Sequence, residues 1–211
     1  MCYKSIDYQK EIYTKMNIIC TNCVGSRLYQ ELDIQYNNPF MWCIMSYDSF
    51  RILMTNFYNI NFNEFRFTDE NGISSIVIDN KIKVLYPHYL QDDLYDTPTK
   101  IEIGKYDVRD VHYNDIRSYT IQKYKSRLNR MNIFDENVFV LVDSDNCLTE
   151  EDVQDFLNTD IPNRKVLVTN KDVQSNKISI IHTTETYFQA MEIERILHCI
   201  IGDFQGTNGK V

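Results

Sequence analysis

Two short runs dominated by apolar residues, Met16-Asn17-Ile18-Ile19-Cys20 and Val138-Phe139-Val140-Leu141-Val142, constrain the fold more than any other feature of the chain. Runs of this length, bounded by polar residues, suit strands buried on both faces better than helices or half-wet strands. A polar turn and a helical pattern follow each. After the first come Thr21 to Ser26 and then Leu28, Leu32 and Ile34; after the second comes Thr149-Glu150-Glu151-Asp152, a cap with an acidic first turn. Lys165 to Val168 and Ile178 to Ile181 are further strand candidates, and Thr184 to Ile201 is expected to close the chain as a helix. Strands alternating with helices favour an α/β fold: a mostly parallel sheet with helices on both faces, in three layers.

Between the two apolar runs the pattern changes. Asn37-Asn38-Pro39 ends the first helix, Phe40 to Met45 reads as another strand, and Ser46 is placed to cap a helix carrying Phe50, Leu53, Met54 and Phe57 at helical spacing. Ile76-Val77-Ile78 and Ile82-Lys83-Val84-Leu85 flank Asp79-Asn80-Lys81, which predicts an antiparallel hairpin. Asp92 to Pro98 is acidic and turn-rich, the best candidate for a surface loop, and Ile101 to Ile103 and Tyr106 to Tyr113 follow it. Asp115 to Met131 holds neither Gly nor Pro and sets Ile116, Tyr119, Tyr124, Leu128 and Met131 near one face, predicting a long amphipathic helix. At 211 residues the chain is expected to form one α/β domain over 1–211, with a small lobe around 60–105.

Composition narrows the function. A net charge of -8 opposes binding to phosphate backbones, so no nucleic-acid partner is expected. No apolar stretch approaches the roughly twenty residues needed to span a bilayer, and no leader-like core follows Lys4, so a cytoplasmic protein without a membrane span is expected. In that reducing compartment the 6 cysteines should be free thiols.

The segment Thr21-Asn22-Cys23-Val24-Gly25-Ser26-Arg27-Leu28-Tyr29-Gln30-Glu31-Leu32, continued by Asn37-Asn38-Pro39-Phe40, resembles an uncharacterised bacterial family known as exopolysaccharide-biosynthesis proteins. Its members carry an Asn-Cys motif, a small-residue turn, a Tyr and a Ser/Asn-Pro-Phe element. The resemblance resumes at His112-Tyr113, at Lys123 to Asn132 with Arg127 and Arg130, and at Val138 to Thr149 before Glu150-Glu151-Asp152. Family members have Gly-Gly where this chain has Gly25-Ser26, and a Trp near Lys123 or Tyr124 that is missing here. The resemblance implies surface-polysaccharide assembly and a two-part α/β architecture, and it brings no reaction with it.

Chemistry is therefore argued from residues. The loop after the first strand lies at the carboxyl edge of a parallel sheet, where ligands bind. There Gly25 would let the backbone approach a ligand, Ser26 would cap the helix, Arg27 would meet a phosphate, and the Asn22 to Ser26 loop would supply an oxyanion donor. Cys23 is either a nucleophile activated by His112 or a structural thiol, and Cys20 to Cys23 also has redox-motif spacing. His112 is a candidate general base beside Tyr113, whereas His88, His182 and His198 read as structural. Arg127 and Arg130 concentrate positive charge that would suit substrate phosphates, although a solvated helix face explains most such runs. Asp143-Ser144-Asp145 after the second strand resembles the Asp-x-Asp arrangement that holds a divalent cation on a diphosphate, and a plain turn would also use it.

Three readings stay open. The first is acyl transfer from acetyl-CoA to an amino or hydroxyl group of a sugar or nucleotide-sugar, with His112 and Cys23 as catalytic residues and no metal. The second is a metal-dependent nucleotide-sugar glycosyltransferase using Asp143 and Asp145. The third is a noncatalytic partner in glycan assembly. The small size of the chain and the single phosphate site it needs favour acyl transfer.

Overall fold

The computed structural model describes residues 6–70, 73–87, 113–143 and 148–183. Helix α1 (Ile6–Thr14) leads into strand β1 (Met16–Cys20) and helix α2 (Val24–Glu31). Next come helix α3 (Tyr47–Asn56), a 3-10 turn (Phe57–Asn59), strands β2 (Phe65–Glu70), β3 (Ile73–Ile78) and β4 (Ile82–Leu85), and helix α4 (Tyr113–Leu128). Strand β5 (Glu136–Val142), helix α5 (Glu150–Asn158), and strands β6 (Arg164–Thr169) and β7 (Ser179–His182) follow. The chain divides into two compact units, one comprising Met1–Tyr36 with Asn132–Val211, the other Asn37–Met131. The second unit is wider than the 60–105 lobe read from sequence.

The first unit holds a four-stranded sheet in the order β1-β5-β6-β7, with every neighbouring pair parallel. Register runs from Met16 opposite Glu136 to Cys20 opposite Val140, and from Val138 opposite Arg164 to Val142 opposite Val168. The fold is thus the expected α/β class with a mostly parallel sheet. Ile18, Ile19, Val138, Phe139, Val140, Leu141, Val166, Leu167 and Val168 are all fully buried. Because successive strand residues point to opposite faces, this unbroken burial means both faces of these strands are covered, as the continuous apolar runs predicted.

Gly25 fixes how closely α2 lies on β1. A Cβ there would fall 2.9 Å from the Cys20 sulfur and 3.6 Å from Cγ2 of Ile18. The Tyr29 hydroxyl, one turn further on, donates to the carbonyl of Met16. So α2 covers the face carrying Met16, Ile18 and Cys20. Helix α5 starts with the predicted cap: Thr149 Oγ1 accepts from the Asp152 N–H at 3.1 Å while Asp152 accepts from the Thr149 N–H at 2.9 Å. At its other end Lys165, buried on β6, donates to the carbonyls of Phe156 at 2.6 Å and Leu157 at 3.3 Å, which closes the helix C-terminus.

The second unit holds the antiparallel sheet β2-β3-β4. Ile78 pairs with Ile82, so Asp79, Asn80 and Lys81 form the turn of the predicted hairpin, with Asp79 and Asn80 both at positive φ, 50° and 53°. Ser46 caps α3 by accepting from the Ser49 N–H at 3.3 Å, and Phe50, Leu53, Met54 and Phe57 are buried as expected. The predicted strand Phe40 to Met45 is replaced by turns and a single bridge, Ile44 to Leu85. Trp42 at φ 56° breaks the extended run, and the Asn38 side chain accepts from the Phe40 N–H at 3.0 Å to form a side-chain turn in its place. Over 117–128 of α4 the buried positions are Thr120, Tyr124 and Arg127, a stripe at helical spacing that mixes polar and aromatic residues. The expected helix over 184–201 and the loop at 92–98 lie outside the described residues.

Candidate functional site

The carboxyl edge of the parallel sheet is where β1, β5, β6 and β7 all end, so Thr21, Asp143, Thr169 and His182 come to one margin. The strand ends are tied to one another. The Thr21 N–H donates to Val140 O at 3.2 Å and its hydroxyl accepts from the Val142 N–H at 3.0 Å. The Asp143 N–H donates to Val168 O at 2.8 Å, and the Thr183 N–H to Thr169 O at 3.0 Å.

Asp143 is the centre of a buried polar network. Its side chain is 0% exposed and pairs with Lys171 at 2.7 Å. The same carboxylate oxygen accepts from the Thr169 hydroxyl at 3.0 Å, and the other accepts from the Leu148 N–H at 3.3 Å. Lys171 also donates to Leu148 O at 2.7 Å. Both carboxylate oxygens are engaged in water-poor surroundings, where a charge-assisted bond is strong and a lost partner is costly. Asp145 lies outside the described residues.

The loop Thr21 to Ser26 is built differently from the expectation. Helix α2 starts at Val24 with Cys23 as its N-cap, and no side chain caps it from there. Ser26 is not the cap: it sits buried inside the first turn, because Asn22 turns the chain into the helix one step earlier by accepting from the Val24 N–H at 3.1 Å. The next donors are also used internally. The Gly25 N–H bonds to the Cys20 thiol and the Ser26 N–H donates to Cys23 O at 3.0 Å. The close backbone approach that Gly25 permits is therefore to Cys20. Burial pushes the Cys20 thiol well above its usual range, an effect the Gly25 N–H only partly opposes, so Cys20 is a packing thiol. Cys23 is half-buried, Arg27 is exposed, and Cys20, Cys23 and Cys43 are free thiols.

The remaining candidates fall elsewhere. His112 lies outside the described residues, and Tyr113 is the first residue of α4. Arg127 is buried and donates through Nη1 to the Met41 carbonyl at 2.9 Å within the second unit. Arg130 donates to Ser126 Oγ at 2.8 Å; desolvation, reinforced by the Arg127 charge, lowers its pKa. Lys123 and Lys125 sit over the rings of Tyr119 and Phe65 at 4.9 and 5.8 Å. Among the described residues, no group of three or more His, Cys, Asp or Glu is placed to hold a metal ion.

Three members of the edge escaped the sequence reading. Thr169 and Lys171 follow the run Lys165 to Val168 as Thr21 and Asn22 follow β1, so strand-end position alone was a usable signal. His182, read as structural, ends β7 opposite Thr169 and is exposed.

No helix among the described residues is long and apolar enough to cross a membrane. The model of a family described as a domain of unknown function, DUF1919, matches residues 3–206. No curated protein matches the chain.

Proposed function

The chain belongs to the DUF1919 family, and from that premise we propose that it is a transferase modifying a sugar in surface-polysaccharide assembly, by acyl transfer from acetyl-CoA. The observation that carries the reading is the carboxyl edge, where the Thr21–Cys23 loop lies beside the Asp143–Thr169–Lys171 network on adjacent strands. This is the margin at which parallel sheets bind ligands. Exposed Arg27 offers charge to a phosphate of coenzyme A or of a nucleotide-sugar, and Asn22, whose amide oxygen accepts from the Val24 N–H, adds an amide donor to the same loop. His182, exposed at this edge, takes the proton from the sugar amine or hydroxyl as it attacks the thioester carbon. The C–S bond then breaks and coenzyme A leaves as the thiol.

The state of Asp143 favours acyl over metal-dependent glycosyl transfer. Its oxygens already hold Lys171, Thr169 and Leu148, so ligating a cation would mean breaking a buried ion pair. A thioester, being activated, needs no such neutralisation.

The test mixes the chain with acetyl-CoA and a panel of UDP-, GDP- and dTDP-amino sugars and follows thiol release with and without EDTA. Release that resists the chelator and falls at least tenfold in His182→Ala is expected. Manganese-dependent release of nucleoside diphosphate with no thiol, abolished in Asp143→Asn, would replace this reading with glycosyl transfer.

A further inference from the structure

At the opposite end of the parallel sheet, a cavity of about 350 Å³ opens between the last turn of α5 and the amino ends of β6 and β7. Strand β6 begins at this cavity with Arg164 and ends in the carboxyl-edge network with Thr169, so the two places lie about 16 Å apart at the rise of a parallel strand. The cavity is therefore separate from the edge described above.

Its cations are largely spoken for. Arg164 pairs with Glu136 at 2.8 Å, and the ammonium of Lys165 is held by the carbonyls of Phe156, Leu157 and Thr159. Among the described residues, nothing hydrogen-bonds the side chains of Asn158, Asp160, Asn176 and Lys177, all of which line the cavity and are exposed. Together they offer two amides, one carboxylate and one ammonium. Leu157, Ile161 and Ile178 supply apolar wall between them.

This combination selects its ligand by exclusion. A phosphate or other compact anion would meet the Asp160 carboxylate, which can only accept and repels it. A cation would meet Lys177 and the buried charge of Lys165. A hydroxyl both donates and accepts, so a ligand rich in hydroxyls satisfies carboxylate, amides and ammonium at once. Its C–H faces would rest on the leucine and isoleucine side chains. The volume sits at the small end of ligand sites, which limits the occupant to one or two rings. We propose that this cavity is a binding site for a neutral mono- or disaccharide, remote from the reacting edge.

The test is titration of the full chain with a panel of neutral sugars, among them glucose, galactose, N-acetylglucosamine, maltose and lactose, with inorganic phosphate as the charged control. Amide resonances are followed by NMR. Saturable shifts confined to 157–165 and 176–179 are expected for at least one sugar, with Kd raised tenfold or more in Asp160→Asn and in Asn176→Ala while circular dichroism is unchanged. The proposal is overturned if no sugar shifts these residues, if the variants bind as the natural chain does, or if phosphate alone occupies the cavity. Binding is read here without turnover, so a failed transfer assay leaves this site standing and the reverse also holds.

Discussion

Lys171→Met is the perturbation that most directly weighs the carboxyl-edge network. It removes an ion pair at 2.7 Å from a carboxylate that is 0% exposed, together with the bond to Leu148 O. Stripping one partner from a buried pair costs about 3–5 kcal/mol. Lys171 keeps 21% of its side-chain surface in water, and Asp143 keeps the Thr169 hydroxyl and the Leu148 N–H, so the low end of that range, about 3 kcal/mol, applies. With a urea m-value of about 2 kcal/mol/M, the midpoint should fall by about 1.5 M. Far-UV circular dichroism is the probe to use, because the single tryptophan, Trp42, lies in the other unit. Asp143→Asn keeps an acceptor for the Leu148 N–H and leaves a lysine that can reach water, so it should cost less, about 1–2 kcal/mol. The double variant should lose at least about 1 kcal/mol less than the sum of the singles, since each single change already breaks the shared bond. Additive losses, or a Lys171→Met cost below about 1 kcal/mol, would refute the claim that the pair holds the strand ends together.

Gly25→Ala should destabilise by about 1 kcal/mol, the overpacking against Cys20 outweighing the better helix propensity of alanine, and Cys20→Ala in the same chain should reverse the sign; paired urea melts decide it. Thr149→Ala removes the hydroxyl that accepts from the Asp152 N–H and donates to the Asp152 carboxylate, leaves the bond from the Thr149 N–H to Asp152 in place, and should cost about 1 kcal/mol by the same melts. Burial raises the phenol pKa of Tyr124, whose hydroxyl donates to Phe62 O at 2.9 Å, so its stabilising effect is complete below the ordinary value of 10.0 and is lost as pH rises above it. Stability measured from pH 8 to 11 should therefore fall above pH 10 by about 1.4 kcal/mol per unit for each such phenol, and less steeply in Tyr124→Phe.

The elements that sequence made legible are those whose local signal agrees with their burial. Met16–Cys20 and the Val138–Val142 run, the Thr149 and Ser46 caps and the Asp79-Asn80 turn each state their structure within a few residues. Phe40 to Met45 misled because hydrophobicity reports burial and says nothing of φ, which Trp42 takes positive. Strand β2 left only a weak trace, the alternation of Phe65 and Phe67 with Arg66 and Thr68. In the site, the strand-end positions of Thr21 and Asp143 were readable, because a parallel sheet sends such ends to one edge. Their partners were not. The Lys171 contact joins residues 28 apart, and the Gly25 contact with Cys20 depends on how deep a helix sits on a strand.

The placement of Asn37–Met131 within the chain bears on how the sheet can assemble. Strands β1 and β5 are neighbours, yet the bond from Asn17 to Asn132 spans 115 positions, so on a growing chain β1 must wait for its partner. The bond from Arg127 to Met41 joins the inserted unit close to both of its boundaries. Once it forms, the chain between β1 and β5 behaves as a loop of about 30 residues, which lowers the entropy of closure by about 1.2 kcal/mol. That is a several-fold gain in how often the two strands meet. Arg127 thereby acts as a clasp: wherever the inserted segment has closed, less chain has to be ordered when β5 meets β1.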